Sequence, residues 1–316
     1  MSRLTVNSMK RYLSRSISSM NQNKLNGLLA EINFREYIQN LGFEDRVSLG
    51  GWIVRNVGAG NFGHRTAVLF PETIEPDVEY DVNRDFEEPP RGLHTICATM
   101  HQIGIESYYC IPVINENDNT TSIDWYSTQL GIPSESPYEL LLDNIGAFSI
   151  ERARNYNFLR YNTNTSVIPD SSIPEEYAKE NLRVVFNTHF MVEASDIDGI
   201  FWGQERTYPI EIKEKTPATD SRLGDYFGLD AGPFAKLAFY AAKRGNLHSL
   251  FVVREIDSVQ ERNLVQWWYI TFDTLAQYAS WIPQGGGQNM LGGRSSVVRI
   301  PKAEFRQLDR NSLESL

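Results

Sequence analysis

Long apolar runs are missing from this chain. No stretch approaches the ~20 consecutive apolar residues that a membrane span needs, and Met1 to Leu25 holds no apolar block suited to a secretory leader, so a cytoplasmic protein with no membrane partner is expected. Cysteine is almost missing too. Cys97 and Cys110 are the only two, without metal-ligand spacing, which leaves buried free thiols as the expected state. The five histidines form no HExxH or similar zinc pattern. Base is scarcer than acid: 30 Lys and Arg against 40 Asp and Glu leave a net charge of −10, which argues mildly against nucleic acid, since affinity for phosphates is largely electrostatic. Distribution matters more than the total. Residues 1–24 carry Arg3, Lys10, Arg11, Arg15 and Lys24 with no acid, whereas Pro71 to Glu88 carries eight acids against Arg84 alone, a polarity compatible with one basic and one acidic side.

What the chain does have is a patterned stretch at 193–215, EASDIDGIFWGQERTYPIEIKEK. Successive side chains of a strand point to opposite faces, so between Tyr208 and Lys215 the residues Ile210 and Ile212 share one face while Glu211, Lys213 and Lys215 share the other. The run before it has the same character around Ile197 to Phe201, and Gly203 to Thr207 supplies a polar turn that closes a hairpin. Asp198 is then placed beside Glu211. Paired carboxylates at a sheet end make a hard, oxygen-rich site suited to Mg²⁺. An ammonium two residues on is suited to orienting an attacking water or meeting the charge of a phosphodiester under attack.

Asp198 followed, after the hairpin, by Glu211-Ile212-Lys213 resembles the PD-(D/E)XK nuclease superfamily, although Ile197 stands where the proline of the family's name would be. The resemblance implies a restriction-endonuclease-like α/β fold, a mixed β-sheet flanked by helices. It also implies Asp198 and Glu211 as Mg²⁺ ligands, Lys213 as the catalytic lysine, and Glu31, from a helix ahead of the sheet, as a further catalytic and metal-binding carboxylate, with Glu36 the weaker alternative. Its implied function is Mg²⁺-dependent hydrolysis of double-stranded DNA by a type II restriction endonuclease acting as a homodimer. A structure-specific or phage-defence nuclease, or a DNA-binding module without chemistry, is the alternative.

The rest of the chain is read around that core. Length permits a single elaborated domain over residues 1–316, with core segments 23–57 and 182–282, a large insertion 58–181 suited to DNA recognition, and a basic segment 283–316 that either wraps DNA or is a floppy tail. Asn23 to Asn40 has the apolar stripe of a helix stopped by Gly42, and Arg46 to Val57 reads as a strand. The GxGxxG at Gly58–Gly63 opens no helix, which removes a dinucleotide-binding reading, and no kinase signatures accompany it; a hairpin tip is expected there. Residues 71–92 read as a surface loop, 93–103 as a helix and 107–114 as a strand. Within 121–181 only Tyr138 to Tyr156 looks helical, and Arg152, Arg154, Arg160, Tyr156 and Tyr161 mix bases with aromatics. Leu182 to Val192 reads as a strand. Gly232-Pro233 opens a helix running through Lys243 to Gly245, followed by strands at 248–253 and 264–272 that place Trp267 and Trp268 on opposite faces.

Overall fold

The computed structural model describes residues 4–17, 22–56, 65–86, 88–117, 120–133, 136–146, 164–189, 195–242, 247–280, 284–286 and 295–316. The chain divides into two compact units, Met1–Leu29 with Leu49–Ile197 and Ala30–Ser48 with Asp198–Leu316. Their limits fall inside secondary-structure elements.

The first unit begins with α1 (Val6–Ile17) and the opening of α2 (Gln22–Asn40), and continues from within β1 (Val47–Asn56) through β2 (Arg65–Pro71), α3 (Arg91–Gln102), β3 (Ile105–Asn117), β4 (Thr120–Leu130), β5 (Glu139–Leu140), α4 (Leu141–Asn144) and α5 (Ile173–His189). Its five strands lie side by side in chain order, all antiparallel except β2 and β3, which α3 joins by a parallel crossover. Four expectations are corrected here. Residues 182–189 are helix: Val184 and Val185 favour a strand, but α5 starts upstream at Ile173-Pro174 with Glu175 and Glu176 in its first turn, and buries Ile173, Tyr177, Ala178 and Leu182 at helical spacing. The stretch 121–130, which showed no clear period, is a strand paired with β3 over eleven residues. The helix expected over 138–156 is confined to α4 among the described residues, and 147–163 lie outside them. The acidic stretch 71–92 is not simply surface, since Ile74 and Tyr80 are buried and Glu72 pairs with Arg84. Both cysteines are free and buried, and burial pushes the Cys97 thiol up to about 12.

The second unit holds β6 (Ser195–Trp202, from Asp198 on), β7 (Thr207–Lys215), β8 (Ala218–Asp220), β9 (Gly224–Asp230), α6 (Ala231–Ala241), β10 (Leu250–Ile256), β11 (Leu264–Thr271), α7 (Phe272–Tyr278), β12 (Gln284–Gly286), β13 (Ser295–Pro301), β14 (Arg306–Gln307) and α8 (Arg310–Ser315). Its main sheet runs β6-β7-β10-β11-β14, mixed because β7 and β10 are parallel while the other pairs are antiparallel. The architecture is thus α/β with mixed sheets flanked by helices. A second, antiparallel sheet, β12-β13-β9-β8, was not foreseen, because its strands are short and rich in Gly, Ser and charge.

The run Leu250-Phe-Val-Val253 is apolar without alternation because β10 is covered on both faces. Leu250 and Val252 face a core made by Ile210, Ile212, Trp267 and Tyr269 with Ala30, Phe34 and Ile38 of α2, which recur every four residues. Phe251 and Val253 face the other core, with Phe227, Leu229, Leu237, Leu275, Val298 and Ile300. Trp267 belongs to the first core and Trp268 packs against the second, as alternation requires. Each such large side chain removed from water contributes roughly 1.5–3 kcal/mol. Gly42, at φ 78°, ends α2 in the left-handed conformation that a side chain would resist, and its N–H reaches Gln39 O at 2.8 Å.

Residues 295–316, part of the segment read as a basic tail, are built into this unit. Leu308, Leu313 and Leu316 lie in the first core, and α8 is capped by Asp309, whose carboxylate accepts the Ser312 N–H at 2.8 Å while Ser312 Oγ accepts the Asp309 N–H at 2.8 Å. Arg299 pairs with Asp220 and Lys302 with Glu255 at 2.6 Å, so these bases are consumed internally instead of facing a polyanion. No described helix is long and apolar enough to cross a membrane.

Candidate active site

The hairpin forms as its sequence pattern predicts. Strands β6 and β7 pair antiparallel from Trp202↔Thr207 to Gly199↔Ile210. The next N–H on β7's ladder side, that of Ile212, is accepted by the side chain of Asp198, with Oδ2 at 2.6 Å. A carboxylate has replaced a backbone carbonyl at this point. The side chain is thereby turned into the sheet and is only 5% exposed. On its other edge β7 remains paired with β10 through to Lys215↔Glu255, which holds the end of the strand straight and fixes the direction of its odd-numbered side chains.

Those side chains are Glu211, Lys213 and Lys215. Glu211 is 2% exposed, and each of its oxygens carries an ammonium: Lys213 Nζ lies 2.5 Å from Oε1, and Lys236 Nζ, from the second turn of α6, lies 2.5 Å from Oε2. The Lys236 contact is ionic and not a well-aligned hydrogen bond, since among the described residues no donor meets the buried Oε2 with hydrogen-bond geometry. Lys213 is 31% exposed and Lys236 15%. Asp198 is held well above the usual carboxylate range, first by burial and then by the charges of Glu211 and Glu31, with Lys213 and Lys236 opposing. The structure therefore brings Glu31, Glu211 and Lys213 within electrostatic reach of Asp198, and Lys213 into contact with Glu211. Glu36 is exposed on α2 and is absent from that group. Lys215 continues the row; burial lowers its pKa, Asp230 counteracts that, and Lys213 adds to it.

Lys236 is the member that sequence reasoning placed on a helix without giving it a role. Nothing in Gly232-Pro-Phe-Ala-Lys236 announces it. Only the packing of α6 on β7, with Leu237 and Tyr240 buried beside it, brings the ammonium to Glu211. The mixed bases and aromatics of 152–161 and the glycines of 58–63 lie outside the described residues.

Among the described residues no three His, Cys, Asp or Glu side chains converge closely enough to enclose a metal ion by themselves. The donor set still suits Mg²⁺, which keeps several waters and takes one or two protein carboxylates. Asp198 and Glu211 are hard oxygen donors, and after burial the charge of Glu211 is the largest influence raising the Asp198 pKa, which a cation between them would offset. No protein-family model matches the chain, and no curated protein or solved structure matches it either.

Proposed function

We propose that this protein is a Mg²⁺-dependent endonuclease of restriction-endonuclease-like fold that hydrolyses phosphodiester bonds of double-stranded DNA, in the manner of a type II restriction enzyme. The observation that carries the reading is the pair of buried carboxylates Asp198 and Glu211, with Glu211 and Glu31 both acting against the charge of Asp198 while Lys213 sits on Glu211. Carboxylates that merely stabilise a fold are matched to cations one by one. Here Glu211 and Glu31 add to burial in raising the proton affinity of Asp198, which costs stability and is a mark of functional sites.

Asp198 and Glu211, with Glu31 behind them, would hold the Mg²⁺. When bound, the metal would act as a Lewis acid on the phosphate and lower the pKa of a bound water. The chain's own groups supply the rest. Asp198 is kept in place by the Ile212 N–H, so one ligand is oriented by the strand itself. Lys213, the more exposed of the two lysines on Glu211, is suited to orienting the attacking water or meeting the charge that grows on the phosphate oxygens. The buried floor of Ile210, Ile212 and Leu250 keeps these groups from moving with the surface.

The experiment is cleavage of duplex DNA by the purified protein. It is expected to require Mg²⁺ or Mn²⁺, to stop in excess chelator, and to give binding without efficient cutting in Ca²⁺. Full cleavage in chelator would overturn the metal requirement, and failure to bind or cut any duplex would overturn the function.

A further inference from the structure

Glu211 poses a problem that the proposed function does not solve. Both of its oxygens are already taken by ammonium groups at 2.5 Å, and at 2% exposure it has little water to fall back on. A divalent cation arriving at this carboxylate has to compete with them, since two positive charges on one buried carboxylate already repel a third. The two lysines are not equivalent. Lys213 rides on the same strand as Glu211, two residues along the same face, so it stays beside the site whatever it contacts. Lys236 comes from α6 on a flexible four-carbon stem, and its contact with Oε2 lacks hydrogen-bond alignment.

We propose that Lys236 is the resident counter-ion of this site: it neutralises Glu211 in the absence of a divalent cation and gives up Oε2 when one binds, so the Lys236–Glu211 ion pair and cation binding exclude each other. This rests on the reading of Glu211 as a cation ligand. The charges support it. Around Asp198 the carboxylates of Glu31 and Glu211 act in one direction and the ammoniums of Lys213 and Lys236 in the other. Without Lys236 the empty site would hold a buried, largely uncompensated negative charge, a strongly destabilising arrangement. With Lys236 fixed in place a divalent cation would meet a site already close to neutral. A movable lysine meets both demands, whereas an arginine, whose planar fork grips a carboxylate through two bonds, would not. The exchange also leaves an ammonium beside the cation just as an anionic phosphate is to be bound, so one event prepares two contacts.

The test is Mn²⁺ binding, followed by the electron paramagnetic resonance of the free ion in the absence of DNA, for the intact protein and for Lys236→Met and Lys236→Arg. Lys236→Met removes the competitor and is expected to bind Mn²⁺ at least about tenfold more tightly, and to melt at a lower temperature than the unsubstituted protein in chelator, with the difference recovered by Mn²⁺. Lys236→Arg is expected to bind Mn²⁺ more weakly than the unsubstituted protein, and it carries the test if Lys236→Met fails to fold. Unchanged or weaker binding in Lys236→Met, or unchanged binding in Lys236→Arg, would overturn the exchange while leaving Glu211 a ligand. If neither Lys236→Met nor the unsubstituted protein binds Mn²⁺, or if Glu211→Gln binds as well as the unsubstituted protein, the reading of Glu211 itself is overturned and the proposal goes with it.

Discussion

Strand β7 carries two buried glutamates, three residues apart and on opposite faces, and they are held in different ways. Glu214 is gripped by two arginines: Arg254 Nη1 lies 2.7 Å from one oxygen, and Arg262 contacts the other. Burial raises its pKa, and both arginines push the other way. Around Glu211 the partners are lysines, and the nearest other charges on that side belong to carboxylates that make the burial of Asp198 harder. Each arginine contributes one nitrogen to Glu214, so two guanidiniums from different parts of the chain share it, whereas a lysine's single ammonium on a flexible stem is the charge more readily moved. The one arrangement is structural. In the proposed function the other is the set of acids that takes the cation.

The largest contrast expected is between removing either kind of carboxylate. Glu211→Ala and Asp198→Ala are expected to slow single-turnover DNA cleavage by ~10²–10⁴-fold with the fold retained. Glu214→Ala is expected to cut within a few-fold of the unsubstituted protein but to lose roughly 1–3 kcal/mol of stability, because two partly buried arginines are left facing each other. An inactive yet stable Glu214→Ala would reverse the assignment of the two faces. Next in size is the lysine row. Lys213→Ala is expected to keep DNA binding while cleavage slows by ~10²-fold, and Lys215→Ala to matter less. A larger defect at Lys215 would mean that the reacting end of the strand lies one alternation further on.

A smaller effect, of opposite sign to the usual one, is expected at Asp198. Asn still accepts the Ile212 N–H but carries no charge, so Asp198→Asn is expected to raise stability in chelator by ~1 kcal/mol, a shift of ~2–4 °C in Tm. A fall in Tm would show that the carboxylates are already compensated. The smallest expectation calibrates both clusters with a single pair, a buried histidine beside an exposed carboxylate. His248 Nε2 lies 3.2 Å from Asp273, yet burial holds its pKa below the usual value, outweighing the pull of that carboxylate. A depressed histidine pKa gives stability that is present above the unfolded value of ~6.5 and is lost as pH falls through the folded value. Thermal melts of His248→Gln and the unsubstituted protein between about pH 7.5 and 5.5 are expected to show a shallower fall in the variant. Parallel curves would mean that the imidazole does not titrate differently on folding.

Local pattern carried much of this through to the fold. The period of two in β7, the helix α2, the unbroken apolar run of β10 and the stop at Gly42 all appear where the residues place them, because each is a preference of the backbone or of one buried face. Strand β4 and helix α5 were lost for complementary reasons. The Thr- and Ser-rich β4 is held as a strand by pairing with β3 across eleven residues, and the Val-rich end of α5 is held as a helix by packing and by a start nine residues upstream. Propensity yields to such contacts.

For the site, the residue types and their alternation along β7 were determined by sequence alone, since spacing dictates which side chains share a face. That Asp198 replaces a ladder carbonyl, that Glu31 joins it, that Lys236 arrives from a helix 25 positions beyond Glu211, and that Arg299 and Lys302 are spent on internal acids were decided only in the tertiary structure. The physical reason is that a charge acts through space over a few ångströms and is indifferent to distance along the chain.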